Sequence, residues 1–405
     1  MLWRTIILLV VAGFCVSVWI GTNTGAAQTS IAEFQKNLRE KAVFEESDLA
    51  EVQKGEAVVK LLPAQDKREV AVCGLVTVRV PAEVFLQSFR ESMVRKSNPA
   101  ILEIGRFSDT PTLDDLQALT IEDRDIEDLK ECVAGECKVK LSATMIDRFR
   151  KELDWSALDY RIRATQLMKQ ILLDYVRDYQ AHGDAALIKY NDKSTEVRLA
   201  DEQRSLTGAS IFFSDPPTGP QHSKDSTRSE LSTLENTIVW SKIKFGLKPV
   251  FAINHITIFK NEQKTGPQIL IVSKQIYANH YFDSSLALTA FISLPNSTES
   301  YLLYENRSRA DGLGGPFGKI KRGIVENEAV AGLRTILEQS RVNLDARAFS
   351  QTDPTPNTNV TQRWRRWIVI GTYLLLGVFV SAALMALLRL SNNVWKNGIK
   401  RPVHE

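Results

Sequence analysis

Soft metal ligands and ring bases are scarce in this 405-residue chain, which has five histidines and four cysteines. His182, His222, His255, His280 and His404 include no pair at the spacing a helix uses to hold a metal. His255 and His280 fall on neighbouring strand candidates and could meet across a sheet, but two histidines make a poor zinc site. There is no Gly-x-Ser-x-Gly elbow and no Walker loop. Gly312-Leu313-Gly314-Gly315-Pro316 precedes a helical pattern without phosphate-loop spacing or the following Lys-Ser/Thr, so it reads as a sharp turn. The acidic stretch Asp109–Glu131 lacks the alternating ligands, central glycine and closing glutamate of a calcium loop, and reads as a solvated helical face. A net charge of +3 gives no general attraction to nucleic acid. These absences lead to no metal, no cofactor and no catalytic residue, and lean away from an enzyme.

What is present is led by Trp367–Leu388, 22 residues without a charge, bounded by Arg363, Arg365 and Arg366 before and Arg389 after. At the α-helical rise such a run crosses a hydrocarbon core of roughly 30 Å with slight tilt. Near the start, Arg4, the apolar run Ile6–Gly21 and the small residues Gly25-Ala26-Ala27 have the pattern of a secretory signal peptide; an uncleaved first membrane helix is the rival. The expected organisation is a signal peptide over 1–27, an exported domain over 28–348, a polar tether over 349–366, a membrane helix over 367–388 and a cytoplasmic tail over 389–405. The chain would then be a single-pass protein of the cell envelope, with its main domain on the periplasmic or extracellular side.

Three cysteines belong to the expected domain. Cys132 and Cys137 can close a small loop through the turn-former Gly135 in an oxidising compartment; reduced structural thiols are the alternative. Cys73 alternates with Ala71 and Leu75, as a buried free thiol would.

With 44 % hydrophobic and 24 % charged residues, the rest has ordinary globular usage. Strand patterns occupy Ala57–Leu62 and Arg68–Val80, with a helix to about Lys96 after Pro81. Gly74 interrupts the second strand and reads as a bulge. Ser142–Ala181 carries the strongest helical periodicity, with Leu158 and Ile162 in its apolar stripe. Five strand candidates follow one another over Thr237–Arg309 with short connections, which implies an antiparallel meander. A long amphipathic helix, Ile320–Leu344, comes next. The fold class is therefore α+β: an antiparallel meander packed on a long C-terminal helix.

This order of elements, over about residues 57–345, resembles the helix-grip fold of START-like lipid-binding domains. The stretches KLLPAQDKREVAVCGLVTVRVPAEVF and CVAGECKVKLSA also look like segments of uncharacterised bacterial envelope proteins. The START-like resemblance implies a space between sheet and terminal helix that takes a hydrophobic or amphipathic ligand, a lipid among the candidates. Phe251, Phe259, Leu286, Leu288, Ile292 and Leu333 are the expected lining, with Tyr304 and Arg307 holding a head group at the mouth. The other reading is a structural or assembly partner within the envelope, without a small-molecule ligand. Expected partners are thus the membrane, a lipid or hydrophobic small molecule, or an envelope protein, and not nucleic acid.

Overall fold

The computed structural model describes residues 36–352, apart from 37, 41–43, 95–99, 212–230, 262–266, 295–296 and 315–317. The expected signal peptide, membrane helix and tail lie outside the described residues, as does the tether beyond Thr352. No described helix is long and apolar enough to cross a membrane.

The fold is α+β and is built on one large antiparallel sheet. Its strands are β1 (Val58–Leu61), β2 (Glu69–Val78), β3 (Ile101–Arg106), β6 (Leu231–Ile243), β7 (Val250–Asn261), β8 (Ile269–Ala278), β9 (Phe282–Ser293) and β10 (Ser300–Ala310). The order across the sheet is β1-β2-β10-β9-β8-β7-β6-β3. A separate hairpin pairs β4 (Lys189–Tyr190) with β5 (Val197–Arg198). The meander expected from the pattern is β6 to β10 in sequence order. β2 closes on β10 along its whole length, from Ser300↔Val78 to Arg309↔Glu69. β3, an edge strand on β6, carries no clear alternation and was not expected from sequence.

Around the sheet lie, among the described residues, the helices α1 (Glu46–Gln53), α2 (Ala82–Ser92), α3 (Asp123–Lys130), α4 (Ala143–Glu152), α5 (Tyr160–His182), α6 (Leu199–Ala209) and α7 (Gly318–Thr352). The helix α7 runs along β2 and β1, and α2 lies against α7 and β9. Opposite them, α1 and α6 share a core with one half of the sheet, and α3 to α5 with the other. Both faces of the sheet are thus covered, where one long helix on one face was expected. This explains why β2, β8 and β10 are buried at every position.

Three local expectations change. No register shift marks Gly74; instead a β-carbon there would come within 2.5 Å of a Leu337 methyl carbon and 3.0 Å of one on Leu333. Glycine serves close approach of α7, not a bulge. The helical stretch after Ser142 divides into α4 and α5, and Leu158 and Ile162 are exposed in and just after the connection. The α7 helix continues to Thr352, so four residues of the expected tether are helical.

Candidate functional site

Cross-strand partners in an antiparallel sheet share a face, so the register assigns each strand residue to one side. None of the eight expected ligand-binding residues is more than 4 % exposed, and the sheet divides them. Tyr304 pairs with Gly74, over which Leu333 and Leu337 lie, so Tyr304 and Leu333 share the α7 side. Phe259, Leu286, Leu288 and Ile292 belong to the core on the other face, with residues of α1 and α6. Phe251 packs on Trp240 and Tyr277 in the core shared with α3 to α5. Arg307 pairs with Leu286 and Ala71, also away from α7. The eight therefore do not line a common space, because strand alternation sends neighbouring residues to opposite sides.

Arg307 has another use. Its Nε donates to Glu305 Oε1 at 2.8 Å, and its Nη1 donates to Glu69 Oε1 at 2.9 Å and to the Pro63 carbonyl at 3.1 Å. Glu69 also accepts from Arg309 Nη2 at 3.0 Å, and Arg309 Nη1 donates to Glu202 of α6 at 2.8 Å. Glu202 accepts from Arg68 at 3.0 Å, Arg68 donates to Asp283 at 2.7 Å, and Asp283 accepts from Lys140 at 2.9 Å. This continuous chain of ion pairs, buried at Glu305, Arg307, Glu69, Arg309, Asp283 and Lys140 and half-buried at Glu202 and Arg68, ties α6 and the strand ends together. Glu305 ends it, accepting from Ser210 Oγ and the Ile211 amide; burial raises its pKa above the ordinary glutamate value despite Arg307.

The α7 side of the sheet is not uniformly apolar. One row has Ser308 paired with Ser285 and Gln275 paired with Asn254, the Ser285 and Gln275 carbonyls being bridged by Gln203 Nε2; the next contains Asn306, Ser273 and Thr237. Ser285 and Ser308 share a 2.8 Å hydrogen bond, and Ser308 Oγ donates to Asn306 Oδ1 at 2.9 Å. The Asn254 and Gln275 side-chain nitrogens and the Thr237 hydroxyl have no hydrogen-bond partner. Asn254 and Gln275 are each 3 % exposed and Thr237 is 6 % exposed. A buried polar group left unpaired costs about 1–3 kcal/mol, so these three, with the unpaired Ser241 hydroxyl on the same face, need a reason. This stripe, bounded by Tyr304 and α7 at one end, is the candidate site.

The histidines do not meet. His280 Nε2 donates to Asp125 at 2.9 Å, beside Lys248, which donates to Asp125 at 2.8 Å and to Asp128 at 2.6 Å. Asp125 is therefore buried and paired, contrary to the solvated face expected there; burial opposes its charge, but His280 and Lys248 outweigh that and hold its pKa below the ordinary value. His255 lies on the face away from α7. Its Nδ1 is 2.9 Å from the Tyr179 hydroxyl and its Nε2 is 3.2 Å from Asn236 Oδ1. With the amide oxygen accepting, Nε2 carries the hydrogen and Nδ1 accepts from Tyr179. Among the described residues no cluster of His, Cys, Asp and Glu suits a metal ion.

Cys132 and Cys137 form a disulfide around Gly135, whose φ of +92° needs glycine, and Cys73 is a buried free thiol. Burial, with Glu305 next to it, pushes the Cys73 pKa up, which keeps it protonated and unreactive. Replacing both bridged cysteines by alanine is expected to cost about 2 kcal/mol, the loop-closure value for so short a loop. Urea unfolding of the two forms measures this, and equal midpoints would show that the bridge adds nothing.

No family model, no curated protein and no solved structure matches this chain.

Proposed function

We propose that this chain is a membrane-tethered exported module that binds an amphipathic ligand, a lipid among the candidates, on the α7 side of its sheet. The observation that carries the reading is the unpaired polar trio Asn254, Gln275 and Thr237 within a buried face. Ligand sites are mostly apolar with a few placed polar groups. Here Val70, Val72, Ile256, Ile258 and Ile271 supply the apolar surround. The three polar atoms are closed to solvent, so the ligand enters by displacement of what covers this face. The antiparallel sheet with α7 along it supports a helix-grip-like reading. Membrane attachment rests on the signal-like start and the uncharged Trp367–Leu388.

Asn254→Leu separates function from folding. An apolar side chain of similar shape removes the unpaired amide, so stability rises by about 1 kcal/mol, while the ligand retained by the protein falls at least tenfold. Native mass spectrometry of the full chain in detergent gives the second quantity and urea unfolding the first. A wild-type protein that carries no amphiphile, but co-purifies with a stoichiometric protein, would replace this reading by the assembly-partner one.

A further inference from the structure

We infer that the polar group recognised by this face is uncharged, a hydroxyl, carbonyl or amide. The inference rests on the ligand reading above and names its chemical class. The stripe is made of amides and hydroxyls: Asn254, Gln275, Asn306, Ser285, Ser308 and Thr237. Its two unpaired amide nitrogens donate, and the Thr237 hydroxyl donates or accepts. Such a set satisfies a neutral group that both accepts and donates.

Among the described strand residues, charge on this face is confined to its margins. Glu235 is bonded to Arg90 of α2 at the β6 end, and Lys260 is paired with Glu83 of α2. Arg106 is exposed on the edge strand. The cations in the middle of the sheet, Arg307, Arg309 and Lys274, pair across the register with residues of the opposite face. Arg307 is already committed to Glu69 and Glu305. An ionised head group brought onto the stripe would lose its hydration without meeting a counter-charge, which a buried ion does not tolerate. A neutral head group loses far less and recovers it in hydrogen bonds to the waiting amides.

The test compares a monoacylglycerol with the fatty acid of the same chain length, at pH 8, on the full chain in detergent. The expected result is binding of the monoacylglycerol at least tenfold tighter than the fatty acid. Asn254→Asp, which is nearly isosteric and replaces the amide donor by an acceptor, should weaken monoacylglycerol binding at least tenfold. Thermal melting establishes that the variant is folded. Because the ligand comparison is made on the wild type, it holds even where the variant is unstable. Equal or tighter binding of the fatty acid overturns the neutral-group inference and leaves the amphiphile reading standing. Binding of neither probe, with no amphiphile carried by the purified protein, overturns both.

Discussion

Arg307→Ala should lower the unfolding free energy by about 3–5 kcal/mol, the cost of removing one partner from a buried ion pair. Arg307 is 3 % exposed and is the bridge between Glu305 and Glu69, themselves 1 % and 0 % exposed. Its loss leaves Glu305 without its cation and strips Glu69 of one of two. Glu305, already pushed up by burial, would then take a proton, and its bonds to Ser210 and Ile211 would weaken in turn. A loss of this size is a large share of the 5–15 kcal/mol that keeps a domain folded. Urea unfolding followed by tryptophan fluorescence measures it. The same variant tests the head-group role that the sequence suggests for Arg307: ligand retained per folded molecule should not change, since the residue lies on the face away from α7. A near-neutral effect on stability with loss of ligand would return Arg307 to the site and reverse the assignment of faces.

The second large effect is a pH dependence set by His255. Burial, joined by the nearby charge of Lys274, lowers its pKa from 6.5 to about 4. The fold therefore holds a neutral ring where the unfolded chain binds a proton. This contribution is complete above pH 6.5 and is lost as pH falls from 6.5 towards 4, a difference of about 3 kcal/mol. The geometry agrees with the sign. Protonation would put a hydrogen on Nδ1, which accepts from Tyr179, and a second cation beside Lys274. Asp184, bonded to Lys274, offsets that only in part. His255→Gln should flatten the profile over this window. Asp66, held at about 2 by its bond to Arg68, acts at lower pH, and Glu305, raised by burial, titrates with the opposite sign in both proteins alike. Unfolding at pH 7, 6, 5 and 4 in both proteins decides the matter, and parallel profiles would mean that His255 is not the group responsible.

Much of the framework was legible from residues alone. The five-strand meander, the long helix after it, the Cys132–Cys137 bridge and the buried Cys73 follow from alternation, helical spacing and local turn chemistry, and all are short-range properties of the chain. The stripe was half-legible: Tyr304, Asn306 and Ser308 alternate along β10, and that spacing places them on one face. Its partners Ser285, Gln275 and Asn254 lie on other strands, 23, 33 and 54 positions before Ser308, and only the folded sheet brings them into line. Alternation along β10 already sets Arg307 and Tyr304 on opposite faces, but the sequence alone could not say which face α7 takes. Nor could it show that Asp125 would be buried against His280. These were decided by tertiary structure. Helices cover both faces here, so β2 and β8 to β10 lack the apolar-in, polar-out contrast that marks a half-exposed strand, and the unpaired amides become visible only once the strands are registered and sealed.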